Sequence, residues 1–80
     1  MRIYVTAEDI RDGLPRNCHA CPIYRALKRA GLKVTGVTRM IVDMYRGSTY
    51  RLPKSAIEFI SRFDNGKPVK PFSFEFPIDE

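Results

Sequence analysis

The sequence predicts an α+β fold: a mostly antiparallel sheet of four to five strands, two main helices packed on one face, and a short helix near the N-terminus. Three observations carry this reading. Apolar residues alternate at Arg2 to Thr6 and at Phe72 to Phe76, the period of half-buried strands. They recur at spacings of three and four in Ala20, Ile23, Tyr24, Leu27 and Ala30, and in Ala56, Phe59, Ile60 and Phe63, the period of amphipathic helices. Between these helices, Gly47-Ser48 separates two β-prone runs, as a hairpin requires.

Taken in order, Ile3 and Val5 form the apolar side of the first strand. Thr6 and Asp9 are spaced as a capping box in which Asp replaces the usual Glu, and Val5 and Ile10 are placed for a hydrophobic staple. A helix over Ala7 to Asp12 follows, with Gly13 as its stop and Leu14-Pro15 as a turn. Pro22 is tolerated only in a first turn, so the second helix starts there and Cys18 and Cys21 lie at or before its N-terminus. Gly31 ends it, and Lys28 and Arg29 sit where the dipole favours cations. Lys33 to Thr38 reads as a strand with a bulge or close approach at Gly36. Met40 to Arg46 and Thr49 to Leu52 form the hairpin; a two-residue turn at Gly47-Ser48 places Tyr45 opposite Tyr50 and Met44 opposite Arg51. Pro53 opens the third helix at its first position, Ile57 widens its apolar stripe, Glu58 and Arg62 pair one turn apart, and Asn65-Gly66 closes it. Phe72, Phe74 and Phe76 then line a strand that Pro68, Pro71 and Pro77 assign to a sheet edge.

Eighty residues make one small basic domain, 1–80, whose core is limited because a chain of this size buries only about 60% of its unfolded surface. With 44% hydrophobic and 29% charged residues it has enough apolar material to fold alone. No apolar run suits a membrane span or a secretory signal, and two cysteines do not make a disulfide scaffold, so a cytoplasmic address and no membrane partner are expected. The net charge is +5, and Gly13 to Val42 carries Arg16, Arg25, Lys28, Arg29, Lys33 and Arg39 with no acidic residue. Acids collect near the ends, in Glu8, Asp9, Asp12, Glu75, Asp79 and Glu80, which predicts a polarised surface.

Two stretches, N-C-x-x-C-P-I at Asn17 to Ile23 and the segment from Leu52 to Phe76 with its L-P-x-x-A-x-x-F-I-x-x-F-D-x-G motif, resemble a family of small proteins encoded by tailed phages and prophages. The resemblance implies a role inside an infected bacterial cell, where such accessory proteins bind host nucleic-acid machinery or defence complexes; it implies no activity for particular residues.

Cys18, His19 and Cys21 offer soft metal ligands, but a closed structural zinc site needs four, so only a site shared between two copies could be complete. The same C-x-x-C at a helix N-terminus, with Arg25 nearby, is an arrangement that favours a thiolate and disulfide exchange. Against both stands a packing role for the two thiols. No paired carboxylates, Gly-rich phosphate loop or nucleophile with a neighbouring base accompany His19 and Asp43, so no catalytic residue and no cofactor are expected, and the chain reads as a non-enzyme.

Binding remains. Arg25, Lys28 and Arg29 on one helix, Arg39, Arg46 and Arg51 around the hairpin, and Tyr45 and Tyr50 as stacking platforms suit phosphate contacts with limited base readout. The partner expected is nucleic acid or a host nucleoprotein complex. The alternative is a protein-only inhibitor or adaptor whose basic side meets an acidic host protein; the third is the thiol or shared-metal function of Cys18 and Cys21.

Overall fold

The computed structural model describes residues 1–78. The order of elements is β1 (Arg2–Val5), α1 (Ala7–Asp12), α2 (Pro22–Arg29), β2 (Val34–Val37), β3 (Ile41–Met44), β4 (Thr49–Arg51), α3 (Lys54–Asp64) and β5 (Phe72–Glu75). The fold is α+β, and every strand pairing is antiparallel.

The strands form two sheets rather than the one expected: β1 with β5, and β2-β3-β4. Backbone chemistry at the two edges accounts for the division. Tyr4 lies opposite Ser73, and its carbonyl accepts from an Arg29 guanidinium nitrogen at 2.8 Å. At β2, the Val37 amide donates to the Cys18 carbonyl at 2.9 Å. A side chain satisfies one edge and a loop carbonyl the other, so no strand joins them. Helix α2 packs against both β1 and β2 and links the sheets through its buried Ile23, Ala26 and Leu27. Phe74 of β5 and Phe76 just beyond it close the core, and α3 meets β5 by stacking Phe59 on Phe72 at a centroid distance of 4.8 Å.

Local signals predicted most elements. Thr6 and Asp9 form the reciprocal capping box, with Thr6 N–H donating to Asp9 Oδ2 at 2.9 Å and Asp9 N–H to Thr6 Oγ1 at 3.2 Å. The Gly31 N–H bonds the Lys28 carbonyl and the Leu32 N–H the Leu27 carbonyl, closing α2 with Gly31 at φ +90°. The bulge expected near Gly36 is present, the register shifting between Val34 and Gly36. Gly13 stops α1 as expected, its N–H bonding the Asp9 carbonyl at 2.9 Å, but without a left-handed turn. Its φ is −72°, an ordinary extended value, and a Cβ there would lie 2.7 Å from the Asp9 carbonyl oxygen and 2.8 Å from Pro22 Cδ. Close approach of α1 to α2 therefore requires this glycine.

The hairpin register differs from the expected one. Val42 lies opposite Tyr50 and Ile41 opposite Arg51. The Gly47 N–H bonds the Met44 carbonyl at 3.0 Å and the Met44 N–H the Ser48 carbonyl at 2.8 Å, with Gly47 at φ +88°. The connection is thus a three-residue loop, Tyr45-Arg46-Gly47, whose last residue is left-handed. An odd shift of register exchanges the faces. Tyr50 turns inward to pack edge-on against Phe76 at 5.5 Å, and Tyr45 stays at the exposed loop, so the expected pairs Tyr45 with Tyr50 and Met44 with Arg51 do not form. In α3, Pro53 caps the helix from outside, Arg62 donates to the Pro68 carbonyl rather than pairing with Glu58, and Glu58 lies 3.9 Å from Lys54.

Candidate functional site

The basic face expected on α2 is largely neutralised from within. Asp9 has no solvent exposure, and Arg29 grips its two carboxylate oxygens at 2.7 Å each. Arg25 Nε lies 3.6 Å from Asp9 Oδ1, and its terminal nitrogen lies 3.7 Å from Asp12 Oδ2. Burial acts to raise the Asp9 carboxyl, but the hydrogen bond from Arg29, the Thr6 amide and the Arg29 charge together outweigh it and hold the group below its ordinary value. The acids of α1 thus fold onto the cations of α2, and the expected separation of charge is reduced. Asp79 and Glu80, counted with the C-terminal acids, lie outside the described residues. Of the three cations expected to act together on this helix, only Lys28 has no carboxylate partner among the described residues.

The cysteine segment is built as a tight loop. Leu14 N–H bonds the Ala20 carbonyl, while Ala20 N–H and Cys21 N–H both bond the Asn17 carbonyl. Cys21 caps α2, its Sγ accepting from the Tyr24 N–H at 3.4 Å. Burial pushes the Cys21 thiol up, although the Tyr24 and Ile23 amides oppose it. Of the two readings of Cys21, its burial fits the packing role rather than the poised thiolate, and the cation that would favour a thiolate, Arg25, turns to Asp9 and Asp12. Cys18 is exposed, its Sγ 3.4 Å from His19 Nδ1. Both cysteines are free thiols, and among the described residues no three His, Cys, Asp or Glu side chains converge as a metal site would require.

The remaining expected residues fall at two ends of the β2-β3-β4 sheet. At the β3-β4 loop, Lys33, Tyr45, Arg46 and Tyr50 line a groove of about 270 Å³ together with Gly31, Met44 and Ser48. The Tyr45 N–H donates to the Lys33 carbonyl at 2.9 Å, which fixes the loop against the entry to β2. Tyr45 is 68% exposed, whereas Tyr50 is held by Phe76 and shows only part of its ring. At the other end, Arg51 approaches Met40 Sδ at 3.9 Å, and Arg39 lines a separate groove with Arg16. The structure therefore brings Arg46, Tyr45 and Tyr50 together, separates them from Arg39 and Arg51, and commits Arg25 and Arg29 elsewhere. Lys33 and Arg16 were missed as site residues. The basic run between Gly13 and Val42 contained both, but strand register and loop closure, not spacing along the chain, decide where they point.

No family model, curated protein or solved structure matches this chain. Its geometry alone describes what the groove can do. Two cations without carboxylate partners among the described residues attract phosphate, an exposed tyrosine offers a stacking face, and a second tyrosine is rigidly placed. No helix among the described residues is long and apolar enough to cross a membrane.

Proposed function

We propose that this protein is a non-enzymatic nucleic-acid-binding protein that engages single strands at the β3-β4 loop, with Lys33 and Arg46 on phosphates and Tyr45 stacked on a base. The observation that carries this reading is the groove itself: Lys33 and Arg46 flank Tyr45 at its 68% exposure, and neither cation has a carboxylate partner among the described residues. Lys28, exposed on α2 outside this groove, offers a third cation for a strand that runs beyond it. Aromatic stacking contributes about 1–3 kcal/mol per base and is sequence-tolerant, so the expected selectivity is for strand form rather than for sequence. The phage-type accessory role implied by the Asn17 to Ile23 and Leu52 to Phe76 motifs makes a host nucleic acid or nucleoprotein complex the natural target, within the bacterial cytoplasm.

The test is titration of the reduced protein against labelled single- and double-stranded DNA and RNA at several salt concentrations. Three phosphate contacts give a slope of log affinity on log salt of about −2 to −3. Lys33→Glu with Arg46→Glu is expected to flatten that slope, and Tyr45→Ala to weaken single strands more than duplexes. Absence of binding at low salt overturns the proposal.

One observation favours a second reading, the protein-only inhibitor or adaptor. Met40 and Ile41 are exposed at 43% and 37% beside Arg39 and Arg51, an apolar patch with a basic rim suited to an acidic protein surface. Loss of host-protein capture on Ile41→Asp, with nucleic-acid binding absent, would select it.

A further inference from the structure

A second groove, of about 540 Å³, runs between the Arg16–Cys21 loop, the end of β2 and the C-terminal half of α3. Its size falls within the range of small-molecule sites. On the loop and β2 side it presents Arg16, Asn17 and Arg39; on the α3 side it presents Ser61 and Asp64. Several of these groups keep donors in reserve. Neither guanidinium has a carboxylate or carbonyl partner among the described residues; the Asn17 side chain spends only its oxygen, on His19 N–H at 2.9 Å; and the Ser61 hydroxyl is uncommitted there. Asp64 uses Oδ1 to accept the Arg16 N–H at 2.8 Å, which leaves Oδ2 as an acceptor.

The backbone points the same way. Arg16 has φ +58°, the one described non-glycine residue in the left-handed region, and the hydrogen bond to Asp64 holds it there. Such a conformation costs about 1 kcal/mol or more for a residue with a Cβ. Glycine would adopt it freely, so an arginine here serves its side chain and not the turn.

We propose that this groove binds a phosphate monoester carried on a body with hydroxyl or amine donors, as a nucleoside monophosphate is. The ligand's charge distribution follows from the two walls. Arg16 and Arg39 together match a phosphate dianion, since each guanidinium presents a fork of donors to its oxygens. The α3 side is negative, with the carbonyl end of the helix and Asp64, whose Oδ1 lies 2.8 Å from the Arg16 amide nitrogen, so it repels a second anion and Oδ2 accepts a hydroxyl or amine of the ligand body. This site shares no lining residue with the groove at Lys33, Tyr45 and Arg46, and it stands independently of the nucleic-acid reading given above. The phosphate has two sources, a free nucleotide or the 5′-phosphorylated end of a strand.

The experiment is titration of the full chain, uniformly labelled with nitrogen-15, with adenosine 5′-monophosphate and separately with adenosine. Expected are amide shifts at Arg16, Arg39, Ser61 and Asp64 with the monophosphate only, and a loss of affinity of at least about tenfold on Arg39→Ala. Arg16→Gly removes the other guanidinium while relaxing the backbone, so loss of binding in that variant cannot be ascribed to misfolding. The exposed Cys18 thiol lines the groove and supplies an independent readout, since bound monophosphate slows its alkylation. A 5′-phosphorylated oligonucleotide that outcompetes its 5′-hydroxyl counterpart, with the advantage lost on Arg39→Ala, identifies the strand end as the source; equal affinity of the two, with the monophosphate bound, identifies the free nucleotide. Equal shifts with adenosine, shifts confined to Lys33, Tyr45 and Arg46, or none at millimolar monophosphate overturn the proposal. Loss of oligonucleotide binding on Tyr45→Ala with the monophosphate still bound separates the two grooves.

Discussion

Asp9 shows how one residue decides what a neighbouring helix is for. Because it is fully buried, it needs a cation, and Arg29 fills that need with two bonds of 2.7 Å. Removing Arg29 leaves the buried Asp9 carboxylate without its two charge-assisted hydrogen bonds, a loss moderated by water at the half-exposed guanidinium, so Arg29→Ala is expected to cost about 2 kcal/mol. Arg25→Ala is expected to cost no more than about 1 kcal/mol, because its approaches to Asp9 and Asp12 are long and its buried Nε has no hydrogen bond to lose. Denaturant melts that rank the two variants the other way would show that Asp9 is satisfied by Arg25. The same pair sets an acid limit. The folded Asp9 carboxyl titrates below its unfolded value of about 3.9, so its contribution is complete above that pH and is lost as pH falls through the depressed folded value. A stability profile of Arg29→Ala should therefore lack part of the wild-type loss as pH falls below about 4. Gly13 gives a third residue-level expectation: Gly13→Ala drives a Cβ into the Asp9 carbonyl and Pro22, and should destabilise by about 1–3 kcal/mol.

At the level of elements, legibility followed the distance over which a feature is determined. The capping box of α1, the glycine stop of α2, the apolar stripe of α3 and the bulge at Gly36 depend on residues within a few positions, and the sequence displayed all of them. The hairpin register depends on whether Gly47 occupies the first place of a short turn or the last place of a longer one. Both readings use the same glycine, yet they put opposite faces of the strand into the core. Ile41 with Arg51 and Asp43 with Thr49 flank the hydrogen-bonded Val42 and Tyr50, so short Hα–Hα NOEs are expected between the members of those two outer pairs. NOEs from the Tyr50 ring should run to Phe76; strong ones to Tyr45 would restore the two-residue turn. The candidate site was half legible for the same reason. Tyr45 and Arg46 belong to the loop itself, while Lys33 joins them through a backbone bond across the sheet and Arg29 leaves the set for an acid twenty residues earlier.

Across the whole molecule, α2 is the common support. The two sheets share no ladder, and the helix packs against a strand of each. Leu27, with no exposure, sits on its buried side. Leu27→Ala is expected to cost about 2–5 kcal/mol and to lower hydrogen-exchange protection in β1-β5 and in β2-β3-β4 together. Protection lost in one sheet alone would mean that the sheets are held by something other than this helix. Single-sheet architecture was the natural inference from five antiparallel strands, since nothing in a run of residues reveals that an edge amide will meet a loop carbonyl or an edge carbonyl a guanidinium.

The pairing of β1 with β5 has a consequence for how the chain is made. Ile3 lies opposite Phe74, so β1 is synthesised about seventy residues before the strand that pairs with it. Until then Ile3 and Val5 are uncovered by β5, and the helices and the hairpin can form while the first strand waits. Vectorial synthesis therefore closes the β1-β5 ribbon after the helices and the hairpin, and stalling the nascent chain before Phe72 should yield a species with a formed β3-β4 hairpin and an unpaired, aggregation-prone β1.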